Sequence, residues 1–221
     1  MKKQKFVLII FIYFLGLLNV NSTEPDVFVQ STVNRASKIL SNDISKEQKI
    51  NELKKIAKDT VDINGIGFYT LGPARKSLDD AQKKQYAILF EQYFLKSFSS
   101  RLAEYTNPEI DVFGKEKLNE KYTIVNSLLK ATEQRPEVKI DWRIYTKNSE
   151  NPLIRDLIIE GLSLARTQKE KFTSILNSND GDINSLFKTL EKFSTNYKWY
   201  WWARQDSNLG PIHYECTALT N

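Results

Sequence analysis

Apolar positions recur every three or four residues over 26–41, where Val29, Val33, Ala36 and Leu40 share one helical face. Ser45 and Gln48 have capping-box spacing, and Ile50, Leu53, Ile56 and Ala57 follow on one side, so a second helix is expected. From Asp62 to Gly72 the pattern is broken by Gly65, Gly67 and Gly72, which predicts a turn between helices. Ser77 and Asp80 are expected to cap the longest helix. In it Tyr86, Phe90, Phe94, Phe98, Leu102 and Tyr105 recur at helical spacing, while Ile88, Leu89, Tyr93 and Leu95 widen the apolar arc. A helix apolar over so broad an arc is covered on several sides or borders an enclosed space.

The period then changes from helical to alternating. Ile110 and Val112 alternate before Gly114, and Tyr122 to Leu129 form a second run of unclear phase. Val138, Ile140, Trp142 and Ile144 alternate with Lys139, Asp141, Arg143 and Tyr145, as in a strand of an antiparallel sheet with one wet face. Leu153 to Ile159 reads as a fourth strand, and the links at 134–136 and 147–151 are hairpin-sized. Two helices close the domain, one marked by Leu164, Phe172, Ile175 and Leu176, the other by Ile183, Leu186, Phe187, Leu190 and Phe193. Gly181 suits the C-terminal end of the first, and Asp182 the N-cap of the second. The class is therefore α+β, with helices on a small twisted antiparallel sheet of about four strands.

The two ends differ from this domain. Residues 1–22 read as a secretory signal: Lys2, Lys3 and Lys5 precede an apolar run from Phe6 to Leu18, and Val20 and Ser22 suit a cleavage site. That run is shorter than the ~20 residues a membrane span needs. Export with cleavage places residues 23–197 outside the cytoplasm. Residues 198–221 hold Trp199, Trp201, Trp202, the single His213 and the single Cys216, and follow no period. An aromatic tail at a membrane interface is one reading of them. The string from Ala203 to Pro211 resembles a peptide that ends unrelated reading frames running on into a tRNA gene, and the tail is expected to be such an extension.

Charge and chemistry narrow the function by exclusion. The net charge of the 221-residue chain is +5, and three of those charges belong to Lys2, Lys3 and Lys5. The middle is close to neutral, without the concentrated basic face that nucleic acid requires. One His and one Cys cannot build a Ser-His-Asp triad, a His/Cys metal cluster or a disulfide framework. Gly65 and Gly67 resemble a phosphate loop in spacing only, since no strand precedes them and no Lys-Ser/Thr follows. Asp180, Asp182, Asn184 and Glu191 fall at calcium-loop spacing, but Ser185 stands where glycine is required. Asp141, Asp156 and Glu160 have no evident reason to meet as a carboxylate pair. No catalytic residue, metal site or cofactor is expected.

The element Asp156-Leu157-Ile158-Ile159-Glu160-Gly161-Leu162-Ser163-Leu164, followed by Gln168 to Phe172 and by Ile175-Leu176, resembles the MlaC family. This is the toluene-tolerance group of periplasmic phospholipid-binding proteins. Leu71-Gly72, Phe90 with Phe94, and Ile140-Asp141-Trp142-Arg143 match in the same order over about residues 25–195. Two departures are Pro73-Ala74-Arg75, where an aromatic residue is usual, and Pro152, where Trp is common. The resemblance implies a carrier that takes a phospholipid between an outer-membrane lipoprotein complex and an inner-membrane ABC transporter complex, maintaining outer-membrane lipid asymmetry. The physics suits that role. Each acyl methylene in water costs ~0.8 kcal/mol, so the roughly thirty methylenes of two chains cost on the order of 25 kcal/mol. A carrier must hide the tails and need not hide the head group. On this reading Ile140, Trp142, Ile144 and Ile158 of the sheet, with Phe90, Phe94 and Phe98 of the long helix, enclose an apolar cavity that Leu164 and Phe172 close. Gly161 is expected to permit a tight turn, and Ser163 to cap a helix.

Periodicity does not separate a hollow core from a filled one. An interaction or scaffold module with a filled core is the principal alternative. An exported hydrolase is the weakest, for want of a His base within the domain.

Overall fold

The computed structural model describes residues 23–133 and 135–195; the expected signal and tail lie outside them. Among these residues six α-helices pack on an open five-stranded sheet. Helix α1 is Pro25–Ser41, α2 Lys46–Thr60, α3 Ile63–Thr70 and α4 Asp80–Leu102. Strands β1 (Ile110–Asn119), β2 (Tyr122–Leu129), β3 (Val138–Tyr145), β4 (Leu153–Ile159) and β5 (Leu162–Ser163) then form an antiparallel meander in chain order. Helices α5 (Leu164–Asn177) and α6 (Ile183–Thr195) complete the chain.

The helix starts follow from local chemistry. Pro25 opens α1, where its missing N–H costs nothing. Ser45 and Gln48 form the expected capping box on α2. The cap of α4 is Asp79, not Ser77 or Asp80: its carboxylate accepts the Gln82 N–H at 2.7 Å, and the Gln82 side chain accepts the Asp79 N–H at 3.0 Å. Ser163 caps α5 as expected, accepting the Arg166 N–H at 3.0 Å. The Gly181 N–H reaches back to the Leu176 carbonyl at 2.8 Å, and Asp182 accepts the Asn184 N–H at the start of α6.

The glycine-rich stretch is where expectation and structure part. Residues 63–70 form α3, capped by Asp62 on the Gly65 N–H at 2.7 Å, and not a turn. Its glycines are there because neighbours crowd it. A Cβ on Gly67 would stand 2.8 Å from the Phe90 ring, and one on Gly65 would meet the Arg155 guanidinium, which would have to move aside. Small residues let α3 lie against α4 and β4, at the cost of helix propensity.

Strand β1 also differs from expectation, running through Gly114 instead of stopping there. Its pairing with β2 shifts register between Val112 and Gly114 and between Lys117 and Asn119. The two residues left over, Phe113 and Leu118, are 65% and 53% exposed. Lys115, between them, pairs with Glu24 at 2.6 Å and Asp26 at 2.8 Å, tying the outer strand to the start of α1. The phase of β2 was obscured by Thr123 and Ser127, polar residues that point inward with Val125 and Leu129. The fifth strand is too short to show a period. It exists because Glu160 and Gly161, both at positive φ, make a two-residue hairpin turn after β4.

One carboxylate binds this corner together. Asp156, 3% exposed, accepts Arg143 Nη1 at 3.2 Å, Ser163 Oγ at 2.6 Å and the Ala165 N–H at 3.0 Å. Burial pushes its pKa above the usual carboxylate value, against the opposite pull of these three donors. Asp141 and Glu160 do not join it: Asp141 bonds Asn126 and Lys139, and Glu160 accepts the Lys139 N–H. Asp156→Ala strands Arg143 and two further donors, so urea denaturation is expected to show a loss of ~3–5 kcal/mol, against ~1 kcal/mol for Ser163→Ala.

Candidate functional site

The interior is divided into a filled part and a hollow part by one helix. Along α4 the rings of Tyr86, Phe90, Phe94 and Phe98 stack at successive turns, with centroids 5.7, 6.1 and 5.4 Å apart. The first two are almost fully buried, at 1% and 2% exposure. Tyr86 donates to the Gly67 carbonyl at 3.1 Å and shares a hydrogen bond with Thr70, while Phe187 of α6 packs on its other side. Phe172 meets Phe90 edge-on at 6.3 Å and Tyr93 at 5.9 Å. This end is solid core. Beyond Phe90 the described residues leave a space between the helix and the sheet, and Phe94 and Phe98 are half-buried.

That space is a cavity of about 240 Å³. Its walls come from α1 (Val33, Ala36, Leu40), α2 (Leu53, Ile56, Ala57), the second half of α4, the inner face of the sheet and the start of α5. Trp142 forms the sheet side, and its indole N–H donates to Ser127 Oγ at 2.8 Å. Ser127 in turn donates to the Ile140 carbonyl at 2.9 Å, so the polar atom of each is satisfied inside an apolar wall. On the opposite side the Tyr93 hydroxyl donates to Gln168 Oε1 at 2.8 Å. The Gln168 Nε2 and the Tyr105 hydroxyl, both buried in the cavity lining, have no hydrogen-bond partner among the described residues.

Of the residues expected to line the cavity, Phe90, Phe94, Phe98, Ile140, Trp142 and Leu164 do so. Three do not. Ile158 lies opposite Asp141 in the β3–β4 ladder and therefore on the other face; Leu157 and Ile159, opposite Trp142 and Ile140, hold the inward positions. A register shift between Arg143 and Ile144 makes the phase of β4 unreadable from its continuous apolar run. Ile144 faces inward but is fully covered by packed neighbours beyond the cavity's end. Phe172 stands behind Phe90 in the solid core. The walls supplied by α1 and α2 carried a signal, the stripe of Val33, Ala36 and Leu40, which reads equally as ordinary core.

No group of three or more His, Cys, Asp or Glu side chains is placed to hold a metal ion among the described residues. Nor is any described helix long and apolar enough to cross a membrane. The arrangement offers enclosed apolar surface.

Helices packed on an open antiparallel meander, with an apolar chamber between, define a class of α+β binding fold. Comparison with known proteins gives the family: the model described as MlaC protein matches residues 30–192, and the chain belongs to the MlaC family. A phospholipid-binding protein from Ralstonia solanacearum, solved in complex with a phospholipid, has the same fold. Its TM-score is 0.66 at 16% identity, over 78% of this chain and 97% of that one.

Two measurements check the walls. Ser127→Ala leaves the buried indole N–H of Trp142 without an acceptor, and is expected to cost ~1–3 kcal/mol in urea denaturation. Burial raises the pKa of Tyr105 from 10.0 to about 12 and that of Tyr86 further. The unfolded chain therefore releases these protons first. Stability from both groups is complete below pH 10 and is lost as pH rises above it, through about 12 for Tyr105 and higher for Tyr86. Ultraviolet titration is expected to show two tyrosines ionising only after the exposed ones.

Proposed function

We propose that this protein is a periplasmic carrier that takes up a phospholipid, holds its acyl chains in the cavity between α1, α2, α4 and the sheet, and leaves the head group near water. The observation that carries this reading is an apolar chamber left open beside a solid core, in a chain of the MlaC family. The phospholipid bound by the Ralstonia solanacearum protein of the same fold supports it. On this reading the protein binds cargo and performs no reaction on it. Residues 1–22 direct export, and the partners are an inner-membrane ABC transporter complex and an outer-membrane lipoprotein complex, between which transfer maintains lipid asymmetry.

Phe94, Phe98, Ile140, Trp142 and Leu164 are assigned to the acyl chains, with Leu157 and Ile159 in place of Ile158. At about 240 Å³ the chamber lies below the ~300 Å³ at which clefts for drug-sized ligands begin. Two acyl chains therefore require the walls to part. The half-buried rings of Phe94 and Phe98 are the surface against which they do so.

Lipid extraction from the purified protein followed by mass spectrometry tests the reading. About one phospholipid per chain is expected. Phe98→Asp, which sets an unpaired charge in the wall, is expected to lower that by at least about tenfold while the circular dichroism spectrum is kept. A wild-type protein that carries no phospholipid and takes none from vesicles overturns the carrier assignment.

A further inference from the structure

Gln168 of α5 lines the cavity, and only half of its amide is used. Its Oε1 accepts the Tyr93 hydroxyl at 2.8 Å, which joins α5 to α4 and sets the amide with its oxygen toward Tyr93. Its Nε2 is enclosed and has no hydrogen-bond partner among the described residues. Asp156, the acidic residue of the lining, does not serve it: that carboxylate accepts from Arg143, Ser163 and Ala165. On the α4–α5 side the lining is half-buried, at Phe94, Leu157 and Leu164 and at Gln168 itself. On the α2 side Leu53, Ile56 and Ala57 are buried. The amide therefore stands on the side of the chamber nearer to water.

A spare donor has no use in a purely apolar container. Enclosing an amide N–H without an acceptor destabilises the fold that holds it, and a methionine would occupy similar space without that cost. The bond from Tyr93 does not account for the nitrogen, because it uses the oxygen alone. The missing counterpart is an acceptor that arrives with the cargo. An amide is neutral and brings no charge to set against a phosphate, so in apolar surroundings its match is a neutral carbonyl. A diacyl lipid carries that group at the head of each chain, and the carbonyl gives up its own water as the chain enters.

We infer that Gln168 determines specificity for the linkage of the lipid: as the walls part, an Nε2 N–H donates to the carbonyl oxygen of an acyl ester, and ester-linked lipids are held in preference to ether-linked ones. This rests on the carrier reading above. An ether-linked lipid with the same head group and chains fills the chamber as well but has no carbonyl to accept the bond, and the amide nitrogen stays unpaired. The chains run from the α4–α5 side toward Leu53 and Ala57 of α2. The preference concerns the linkage and is indifferent to the head group beyond it.

The test offers wild-type protein an equimolar mixture of dioleoylphosphatidylglycerol and its dioleyl ether analogue from cyclodextrin, and measures retained lipid by mass spectrometry. The ester is expected to be retained about fivefold over the ether. Gln168→Met is expected to bring that ratio to about one, by holding less of the ester and as much of the ether as the wild type, which shows the chamber intact. In the infrared spectrum the ester carbonyl stretch of the bound lipid is expected at lower frequency in the wild type than in Gln168→Met, a shift that an amide acting only on the fold does not produce. Equal retention of ester and ether by the wild type overturns the assignment, whether or not the variant folds. So does a ratio or a carbonyl band that is unchanged in Gln168→Met. A wild type that retains neither lipid overturns the carrier reading as well.

Discussion

Apolar surface left uncovered inside a protein draws together unless its walls are held apart. In this chain the holding is done by two bodies that are rigid for separate reasons. On one side the stacked rings of α4 are anchored in solid core through Tyr86 and Phe90. On the other, β3 is paired along both edges and carries Trp142, whose ring is fixed by Ser127. The Asp156 carboxylate locks β4, the β5 hairpin and α5 into one corner, so that the sheet cannot slide toward the helix. The chamber is what remains when neither body can reach the other.

Asp156 also shows why a buried ion can be worth keeping where it adds little net stability. Its burial raises its pKa, so the charged form is held at some cost. An apolar residue would pack more comfortably but would leave the Arg143 guanidinium and the first turn of α5 without a fixed relation. In a protein with a solid centre, side-chain packing alone would set that relation. Here the described residues leave a cavity in part of the centre, and directional bonds take over.

Much of this was legible from spacing. The α+β class, the order of elements, the capping roles of Ser45 and Ser163 and the alternation of β3 follow from periods and caps that local chemistry dictates. So did the lining role of Phe90, Phe94, Phe98, Ile140 and Trp142, once a family resemblance supplied the idea of a hollow. What escaped depends on contacts distant in sequence. Gly65 and Gly67 read as a break because the Phe90 ring and the Arg155 guanidinium that lie against them belong to α4 and β4. Ile158 read as inward because a bulge hides the phase of an all-apolar strand. Whether Ile144 and Phe172 meet empty space or a neighbour is a matter of what stands opposite, about which periodicity is silent. Tyr93 and Gln168 lay in two well-marked helices, yet nothing in a linear pattern shows that a phenol and an amide meet in the lining of a chamber.

The outermost strand has a bearing on life at high concentration. A long, regular border strand offers its free amides and carbonyls to any similar strand nearby, and chains joined that way precipitate. In β1 the two register shifts turn Phe113 and Leu118 out of the ladder, and Lys115, Glu116 and Lys117 place charge between them. An approaching border finds neither a straight row of partners nor an uncharged surface. The protein can therefore keep a greasy chamber inside without becoming sticky toward its own copies.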